Sequence, residues 1–254
     1  MTLSTYTDLQ DAAIFITGGG SGIGAAFVEA FIEQGAKVAF VSLDSEDAEQ
    51  RCNLIEAKYG VRPFFQPCDI TDIEHLKACI AAAEARHGST DVLINNAARD
   101  TRHSLETFSP EDWDNSLNTN LRPHFFTAQA VVAGMKDKGR GSIINVGSNS
   151  ALLGLSGYPA YVTAKAGILG LTKALARELG SHNIRVNSLI PGWVMTERQK
   201  RLWVTPEALQ ECLDQQCLKT TISEADVANS ALFLASTASA MITGQSLIID
   251  GGRV

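Results

Sequence analysis

Charged residues are scarce in this chain. Asp, Glu, Lys and Arg make up 19% of its 254 residues, the net charge is −7, and no dense run of Lys and Arg occurs. Nucleic acids and anionic membrane surfaces are bound through basic patches that neutralise phosphates, so neither is expected as a partner. Hydrophobic residues nevertheless reach 45%. That fraction can build a packed core, which excludes an intrinsically disordered chain.

Cysteine is also sparse. The five cysteines occur singly, at Cys52, Cys68, Cys79, Cys212 and Cys217. Metal ribbons and redox dithiols need close cysteine pairs, and a disulfide framework needs an even number. We therefore expect no metal site and interpret all five as reduced thiols of the core.

Targeting and membrane segments are not visible in the sequence pattern. Residues 1–11 lack the basic start and the apolar stretch of a secretion signal. The most apolar late region, 227–249, is interrupted by polar residues such as Asn229 and Gln245, which is not the pattern of a membrane span. These observations predict a cytoplasmic protein.

Short apolar runs alternate with segments of helical periodicity along the whole chain. The predicted strands span 12–17, 37–41, 62–66, 92–95, 142–146, 184–190 and 246–249. The predicted helices span 23–33, 46–59, 73–87, 109–135, 158–179 and 226–234. Such alternation is typical of a parallel sheet covered on both faces. We therefore predict a single α/β domain, 1–254, with a doubly wound (Rossmann) sheet.

One stretch departs from this alternation. Residues 196–221 are polar, lie between the sixth strand and the last helix, and contain a helix start at Thr205-Pro206-Glu207. We interpret this stretch as a small helical lid.

The turn after the first strand is rich in glycine. Its candidate cofactor-binding residues are Gly18, Ser21, Gly22, Ile23 and Gly24. Glycines at this place let the backbone approach a pyrophosphate that rests on the amino end of the next helix. Because the turn lies between a strand and a helix, it predicts a dinucleotide site rather than an ordinary tight turn.

The end of the second strand leaves the choice of dinucleotide open. A carboxylate there favours NAD, and a basic residue accommodates the 2′-phosphate of NADP. Ser42 occupies the place of the usual acid, and Asp44 follows on the same side by strand alternation. The nearby acids would repel a phosphate, which favours NAD, with NADP or dual use kept open. Alternatively, Asp44 caps the next helix. Asp69 either accepts from the adenine amino group or caps the third helix.

A phenol and a primary amine share one face of the predicted helix 158–179, because Tyr161 and Lys165 are four residues apart. An ammonium group near a phenol lowers the phenol's pKa and makes it a usable base. Ser148 follows the fifth strand at the edge where open α/β sheets bind ligands, and Asn120 lies within the helix 109–135.

These residues resemble the short-chain dehydrogenase/reductase family over essentially the whole chain. The matching motifs are Thr17-Gly18-x-x-x-Gly22-Ile23-Gly24, Asn95-Asn96-Ala97, Asn120-Leu121, Ser148, Tyr161, Lys165, Pro191-Gly192 and Asp250-Gly251-Gly252. The resemblance implies a seven-stranded parallel sheet, a nicotinamide cofactor, a homotetramer and a catalytic tetrad. Two departures are visible, since Ala98 replaces a glycine and Ser42 an acid.

The resemblance also implies roles for single residues. Tyr161 would take the substrate hydroxyl proton, Ser148 would hold the reacting oxygen, and Asn120 would hold a water. Lys165 would lower the pKa of Tyr161 and bind the nicotinamide ribose. Asp250-Gly251-Gly252 would form a structural turn near a subunit contact. The further cofactor-binding candidates are Asp69, Ile70, Asn96, Ala97, Pro191, Val194 and Thr196.

The loops that would shape the substrate site are polar and contain indoles. Their substrate-binding candidates, beside Ser148 and Tyr161, are Arg99, Arg102, His103, Asn149, Trp193, Arg198, Gln199 and Trp203. Hydrogen-bonding groups mixed with indoles suit a sugar better than a steroid or an acyl chain. Arg102 and His103 could also be solvated loop residues, and Trp203 could belong to the lid core.

Loop motifs around Arg102, Arg198, Trp203 and Gln216 are similar to those of the aldose dehydrogenases of the family, bacterial xylose dehydrogenase among them. This similarity implies oxidation of the C1 hydroxyl of an aldose to an aldonolactone, with reduction of NAD.

Two other functions stay open. A reductase of the 3-oxoacyl carrier-protein type would use NADPH, but it would favour a basic rim and an arginine near Ser21 or Ser42. A non-catalytic dinucleotide sensor would keep the fold without the chemistry, and the complete tetrad argues against it.

Overall fold

The computed structural model describes residues 3–254. Within them, seven strands form one parallel sheet in the order β3-β2-β1-β4-β5-β6-β7. The strands are β1 (Ala13–Thr17), β2 (Lys37–Ser42), β3 (Phe64–Pro67), β4 (Val92–Asn95), β5 (Gly141–Val146), β6 (Ile184–Pro191) and β7 (Ser246–Ile249). All residues of β1 and β4 are buried, as expected for central strands covered on both faces. The predicted seven-stranded doubly wound sheet is confirmed.

Helices connect the strands and cover the sheet. They are α1 (Gly22–Glu33), α2 (Ser45–Tyr59), α3 (Ile73–His87), α4 (Pro110–Asn120), α5 (Arg122–Lys138), α6 (Ser150–Leu153), α7 (Pro159–Leu179), α8 (Glu197–Leu202), α9 (Pro206–Gln215) and α10 (Glu224–Ala235). Short 3₁₀ turns lie at Thr7–Leu9, Gly180–His182 and Thr237–Ser239.

Two apolar cores result, one on each face of the sheet. Ile14 and Ile16 of β1 pack with α1, α2 and α10, whereas Phe15 packs with α3, α5 and α7. Successive side chains of a strand point to opposite faces, so a continuous apolar run supplies both cores.

The strand order reverses between β1 and β4. From β1 the chain proceeds outward through β2 and β3, and it then returns to build β4 to β7 on the other side. Connections leave in opposite directions at such a point and open a crevice beyond the carboxyl ends of the strands. Thr17, Asn95 and Val146 end the strands that border this crevice.

The prediction of one long helix over 109–135 is wrong, because the structure has two helices there, α4 and α5. Leu121 breaks the helical backbone with φ −131°. Pro123 has no N–H to continue the ladder of α4, and the His124 amide donates to the carbonyl of Leu121 at 3.2 Å. The break places Asn120 at the end of α4 rather than inside a helix.

The start of α3 decides whether Asp69 caps the third helix, an alternative that the sequence leaves open. Asp72 is the N-cap of α3, and its carboxylate accepts from the amide of His75. Asp69 instead accepts from the amide and the hydroxyl of Thr71, at 2.9 and 2.8 Å, in a local turn. Asp69 is therefore not the cap of α3.

The lid predicted over 196–221 contains two helices. Thr205 caps α9 as the sequence indicates, and Thr196 caps α8, which periodicity did not reveal because α8 is short and polar. Four cysteines are buried, but Cys217, just beyond α9, is exposed. The prediction of core thiols is therefore wrong for Cys217.

Within residues 3–254, none of the helices combines the length and apolar character needed to cross a bilayer.

Candidate active site

A cavity of about 950 Å³ lies beyond the carboxyl ends of the strands, between the glycine-rich turn and the lid. Most of the residues singled out in the sequence line it. They are Gly18, Ser21, Ile23, Gly24, Ser42, Asp44, Asn96, Ala97, Arg99, Arg102, Ser148, Asn149, Tyr161, Lys165, Pro191, Trp193, Val194, Thr196, Arg198, Gln199 and Trp203. The fold thus brings together side chains that are distant in sequence.

The glycine-rich turn is packed so closely that Gly18 and Gly24 leave no room for a side chain. Gly18 has a φ of +71°, and a Cβ on Gly24 would lie 1.9 Å from the carbonyl oxygen of Gly18. The hydroxyl of Ser21, the N-cap of α1, makes no capping hydrogen bond within the described chain, so amides of the first turn are available to a ligand. Gly22 follows in the same turn and faces Thr196 of the lid. A dinucleotide pyrophosphate fits this arrangement.

The segment after β4 is fastened to the same turn. Thr17 Oγ1 accepts from the amides of Asn96 and Ala97, at 3.0 and 3.1 Å. Asn96 Nδ2 donates to the carbonyls of Thr17 and Gly18, both at 3.1 Å. Ala98 has no positive φ, so the alanine that replaces the usual glycine is accommodated without strain.

At the end of β2, Ser42 and Asp44 both line the cavity. The strand ends at Ser42, so the alternation that placed both side chains on one side of a strand does not extend to Asp44. Asp44 is the N-cap of α2, and its Oδ1 accepts from the amides of Glu46 and Asp47. The capping alternative is therefore correct, and the carboxylate is held at the mouth of the cavity.

Five sequence candidates lie outside the cavity lining, namely Gly22, Asp69, Ile70, His103 and Asn120. Ile70 is buried in the core beside α3. The His103 ring stacks on Phe108, its Nδ1 contacts the carbonyl of Thr101, and its Nε2 accepts from the amide of Ala160. His103 therefore anchors its loop to the amino end of α7, and both its ring nitrogens are already engaged.

Tyr161 and Lys165 occupy one face of α7, as the spacing predicts. Lys165 Nζ lies 5.6 Å from the centroid of the Tyr161 ring. The lysine side chain is buried, and its ammonium group donates to the carbonyl of Val146 at 2.8 Å. This bond aims Nζ at the end of β5 and leaves further donors for a ligand.

The pKa values of Tyr161 and Lys165 are both shifted, and that of Tyr161 differs from the value that the sequence predicts. Burial raises the pKa of Tyr161 above its ordinary value, the charge of Asp100 raises it further, and Ser148 and Arg102 lower it. Burial lowers the pKa of Lys165 to about 7. The pKa of Tyr161 is thus higher than the sequence predicts, because burial outweighs the lowering by Ser148 and Arg102. The lowering by Lys165 that the resemblance implies stays a prediction.

Ser148 lies just beyond β5, close enough to Tyr161 to influence its pKa. Its Oγ is 2.8 Å from Ser150 Oγ and accepts from the Ser150 amide at 3.2 Å. The neighbouring Asn149 is buried, and its Nδ2 donates to Asp250 at 3.3 Å. Asp250 also accepts from the amides of Gly252 and Arg253, which agrees with the structural turn expected there.

Asn120 is buried at the end of α4, and its side chain does not line the cavity. Its Oδ1 accepts from the Arg99 amide at 2.8 Å, and its Nδ2 donates to the carbonyls of Arg99 and Ser116. The side chain therefore holds the loop after β4 in place.

Arg102 is clamped between aromatic rings. Its guanidinium carbon lies 3.7 Å from the centroid of the Tyr158 ring and 5.2 Å from that of Trp203. Tyr158 stacks in turn on Tyr161, with centroids 5.3 Å apart. Stacking orders the guanidinium while its N–H edges stay free to donate into the cavity.

Sequence reasoning missed several residues of the cavity, including Leu155, Tyr158 and Arg253. Asp100 and Ser150, which belong to the polar loops that the sequence assigns to the substrate, also line the cavity. No sequence signal marks Arg253, because only the fold brings this residue to the lid, where it donates to Gln215.

Within residues 3–254, no group of three or more His, Cys, Asp or Glu side chains could hold a metal ion. A dinucleotide-binding turn and a Tyr–Lys–Ser cluster meet in one cavity, which defines an oxidoreductase of the dinucleotide-dependent α/β class. The chain belongs to the short-chain dehydrogenase/reductase family, whose members use nicotinamide dinucleotides. A family model described as enoyl-(acyl carrier protein) reductase matches residues 18–253.

Similar proteins support this placement. The chain is 50% identical to a probable galactose dehydrogenase of Rhizobium meliloti (strain 1021) over 99% of both chains. It is 43% identical to a D-xylose 1-dehydrogenase of Caulobacter vibrioides (strain NA1000 / CB15N), also over 99% of both. The crystal structure of a protein described as a short-chain alcohol dehydrogenase from Sinorhizobium meliloti 1021 superimposes with a TM-score of 0.92 at 33% identity, covering 98% of each chain.

Proposed function

We propose that this protein is an NAD-dependent aldose 1-dehydrogenase that oxidises the C1 hydroxyl of an aldose to an aldonolactone. The observation that carries the proposal is the meeting of Tyr161, Ser148 and the clamped Arg102 in one cavity with the glycine-rich turn. Relatives named as galactose and xylose dehydrogenases support a sugar as the substrate.

Tyr161 is the proposed proton acceptor for the sugar C1 hydroxyl, and Ser148 is the proposed partner that holds the same oxygen. The glycine-rich turn and Lys165 would hold a nicotinamide dinucleotide, which would supply the hydride acceptor for C1. Because burial raises the pKa of Tyr161, the phenol stays protonated at neutral pH. Oxidation needs the phenolate as proton acceptor and is therefore favoured as the pH rises.

Lys165 and Asn120 have proposed supporting roles. The Lys165 ammonium group, fixed by Val146, is placed to bind ribose hydroxyls beside Tyr161. The Asn120 side chain positions Arg99, and the helix break at Leu121 diverts the His124 amide from Asn120 to Leu121. The Asn120 carbonyl is therefore the proposed site for a water that carries the proton outward.

NAD is the proposed cofactor. Asp44 stands at the mouth of the cavity near Ser42, and the next residues of α2 include Glu46 and Asp47. This negative charge would repel the 2′-phosphate of NADP. No arginine at position 21, 42 or 43 is present to offset the repulsion. The proposed contacts to the carboxamide are Val194 and Thr196, which border the cavity from the lid side.

Sugar hydroxyls are the proposed ligands of the substrate end of the cavity. Arg99, Arg102, Asn149 and Ser148 supply polar groups there, and Trp193 and Trp203 supply indole surface. Indole faces suit the C–H face of a sugar ring, and planar guanidinium groups can donate to two adjacent oxygens.

A homotetramer and a cytoplasmic location are also proposed. Exposed apolar side chains occur on β7 and nearby, with Met241 95% and Ile248 40% exposed, and on α4 and α5, with Trp113 and Phe125. Free buried cysteines suit a reducing compartment. Light scattering after size-exclusion chromatography tests the assembly, and a monomer would overturn it.

The test of the function is the absorbance of the reduced cofactor, followed after mixing the protein with NAD or NADP and a panel of pentoses, hexoses and 6-deoxyhexoses. We expect turnover with NAD and at least one aldose, and a lactone as the product. Turnover only of a ketone with NADPH would identify a reductase instead. Tight NAD binding without turnover of any substrate would identify a sensor.

A further inference from the structure

A single carboxylate joins the loop after β4 to the lid. Asp100 Oδ1 accepts from Arg198 Nη1, and Asp100 Oδ2 accepts from Gln199 Nε2 at 3.0 Å. Both donors belong to α8, the first helix of the lid. The Asp100 side chain is 16% exposed and that of Arg198 47%, so the carboxylate is the better shielded partner. Charge-assisted hydrogen bonds in such a place are stronger than those of a fully exposed pair.

The same loop holds the other end of α8. Trp203, which follows α8, lies over the guanidinium group of Arg102. Gln199 is itself fixed, because its Oε1 accepts from Trp193 Nε1 at 2.9 Å. Asp100 therefore acts near the start of α8 and Arg102 beyond its end, and together they hold this helix across the cavity.

We propose that Asp100 is a positioning residue that fastens α8 over the substrate cavity and thereby sets Arg102 against Trp203 for recognition of the sugar. This inference rests on the proposed function and adds a residue that determines affinity for the sugar at the same site. Asp100 contributes a charge and two acceptor oxygens, and both oxygens are engaged by the lid. The Asp100 carboxylate is thus not available to the sugar, and the hydrogen-bond donors of the cavity bind the sugar oxygens.

The charge of Asp100 also reaches the catalytic pair. Charged or titratable groups around Tyr161 and Lys165 come from the loop (Asp100, Arg102), from the start of α7 (Tyr158) and from α5 (His124). Burial raises the pKa of Tyr161 and lowers the pKa of Lys165. The Asp100 carboxylate raises the pKa of each of the two residues. Arg102 lowers the pKa of Tyr161, and the buried His124 is kept neutral because burial holds its pKa well below the ordinary value.

The first test is Asp100→Asn, which keeps the size and one acceptor oxygen but removes the charge. We expect the KM for the aldose to rise about tenfold, as the loss of a charge-assisted contact implies. The Kd for NAD should stay within about twofold of wild type. The midpoint of the pH profile of kcat/KM for oxidation should shift to lower pH, since the carboxylate no longer raises the pKa of Tyr161.

Glu197→Gln is the matched control. Glu197 is a carboxylate of the same helix, but it pairs with Lys200 on the exposed side of the lid. Its loss should change neither the KM for the sugar nor the pH profile. In a double-mutant cycle, Asp100→Asn and Arg198→Gln should be strongly non-additive, because each removes the same contact. Additive effects on KM would overturn the proposal.

Limited trypsin cleavage tests the contact without relying on activity. Lys200 and Arg201 of α8 are exposed cleavage sites, and they should be cut several times faster in Asp100→Asn than in wild type or Glu197→Gln. Wild-type cleavage rates together with an unshifted pH profile would reduce Asp100 to a structural residue and overturn the inference. Faster cleavage in a protein that oxidises no aldose would instead retain the inference for the lid and reject the proposed function.

Discussion

Lys165 Nζ donates to the carbonyl oxygen of Val146 at 2.8 Å, and this bond joins the second turn of α7 to the last residue of β5. The bond fixes the amine beneath the Tyr161 ring, at 5.6 Å from its centroid. Burial lowers the pKa of this lysine to about 7, so the amine changes its charge within the range in which the enzyme is expected to work. Stability and catalysis are therefore both expected to depend on pH through this residue.

Lys165→Met should reveal a cost of burying the amine. The lysine pKa is about 10.4 in an unfolded chain and about 7 in the fold, so between these values the unfolded state binds more protons. The unfolding free energy of wild type, relative to Lys165→Met, should thus increase from pH 7 to pH 9, by about 1 kcal/mol per pH unit. Below pH 7 both states are protonated, and the difference should become constant.

Urea unfolding at several pH values measures this difference. The matched control is Lys173→Met, which removes an exposed lysine from the same helix and should give a difference that is flat with pH. A flat difference for Lys165→Met as well would show that the amine is not desolvated in solution.

Tyr161→Phe should remove the proton acceptor without disturbing cofactor binding. We expect kcat/KM to fall by about 10²- to 10⁴-fold, the usual contribution of a positioned acid or base, with an unchanged Kd for NAD. Tyr59→Phe is the control, because the Tyr59 hydroxyl contacts Glu29 and Glu33 away from the cavity. Turnover near the wild-type rate in Tyr161→Phe would exclude the proposed role.

Ser42→Asp should strengthen the preference for NAD. A carboxylate at the end of β2 can accept from the adenosine ribose and repels a 2′-phosphate, so the ratio of kcat/KM for NAD over NADP should rise about tenfold. Ser42→Ala separates the loss of the hydroxyl from the gain of charge and should leave the ratio nearly unchanged. An unchanged ratio in Ser42→Asp would mean that another residue reads the ribose.

Arg102→Lys should weaken sugar binding although it keeps the charge. Lysine cannot stack as a plane between Tyr158 and Trp203, and it cannot donate to two oxygens in a fixed fork. Steady-state kinetics should show a KM for the aldose that is about tenfold higher, with the Kd for NAD unchanged. Arg201→Lys, on the exposed side of α8, is the control and should behave like wild type. Equal kinetics in both variants would show that the clamped guanidinium does not contact the sugar.

Much of the fold could be predicted because its signals are local. The predicted bounds of helix Ile73–His87 and strands Val92–Asn95 and Ser246–Ile249 agree with the structure. Helix α3 ends at His87, and the next residue, Gly88, has a φ of +88°, a conformation that glycine adopts readily at the end of a helix. The break at Leu121 was missed because apolar periodicity continues through it, and only the missing N–H of Pro123 marks the interruption.

For the candidate site, the sequence predicted the spacing of the residues on one helix but not their surroundings. The spacing of Tyr161 and Lys165 follows from helix geometry and requires no knowledge of the remaining chain. The pKa of each depends on burial and on Asp100, which the helix spacing does not show, and so the expected direction for Tyr161 was wrong. His103 was proposed to contact the substrate from its residue type, but packing turned its ring toward Phe108 and the backbone of α7.

Local sequence by itself determined the alternating strands and helices, the glycine-rich turn and the helical face shared by Tyr161 and Lys165, because each depends on neighbours within a few turns of chain. Tertiary structure alone decided which polar groups meet: Asp100 with the lid helix, Arg102 between two rings, and Lys165 with the end of β5. Those contacts join segments that are distant along the chain, and their energies depend on the water that packing excludes from them.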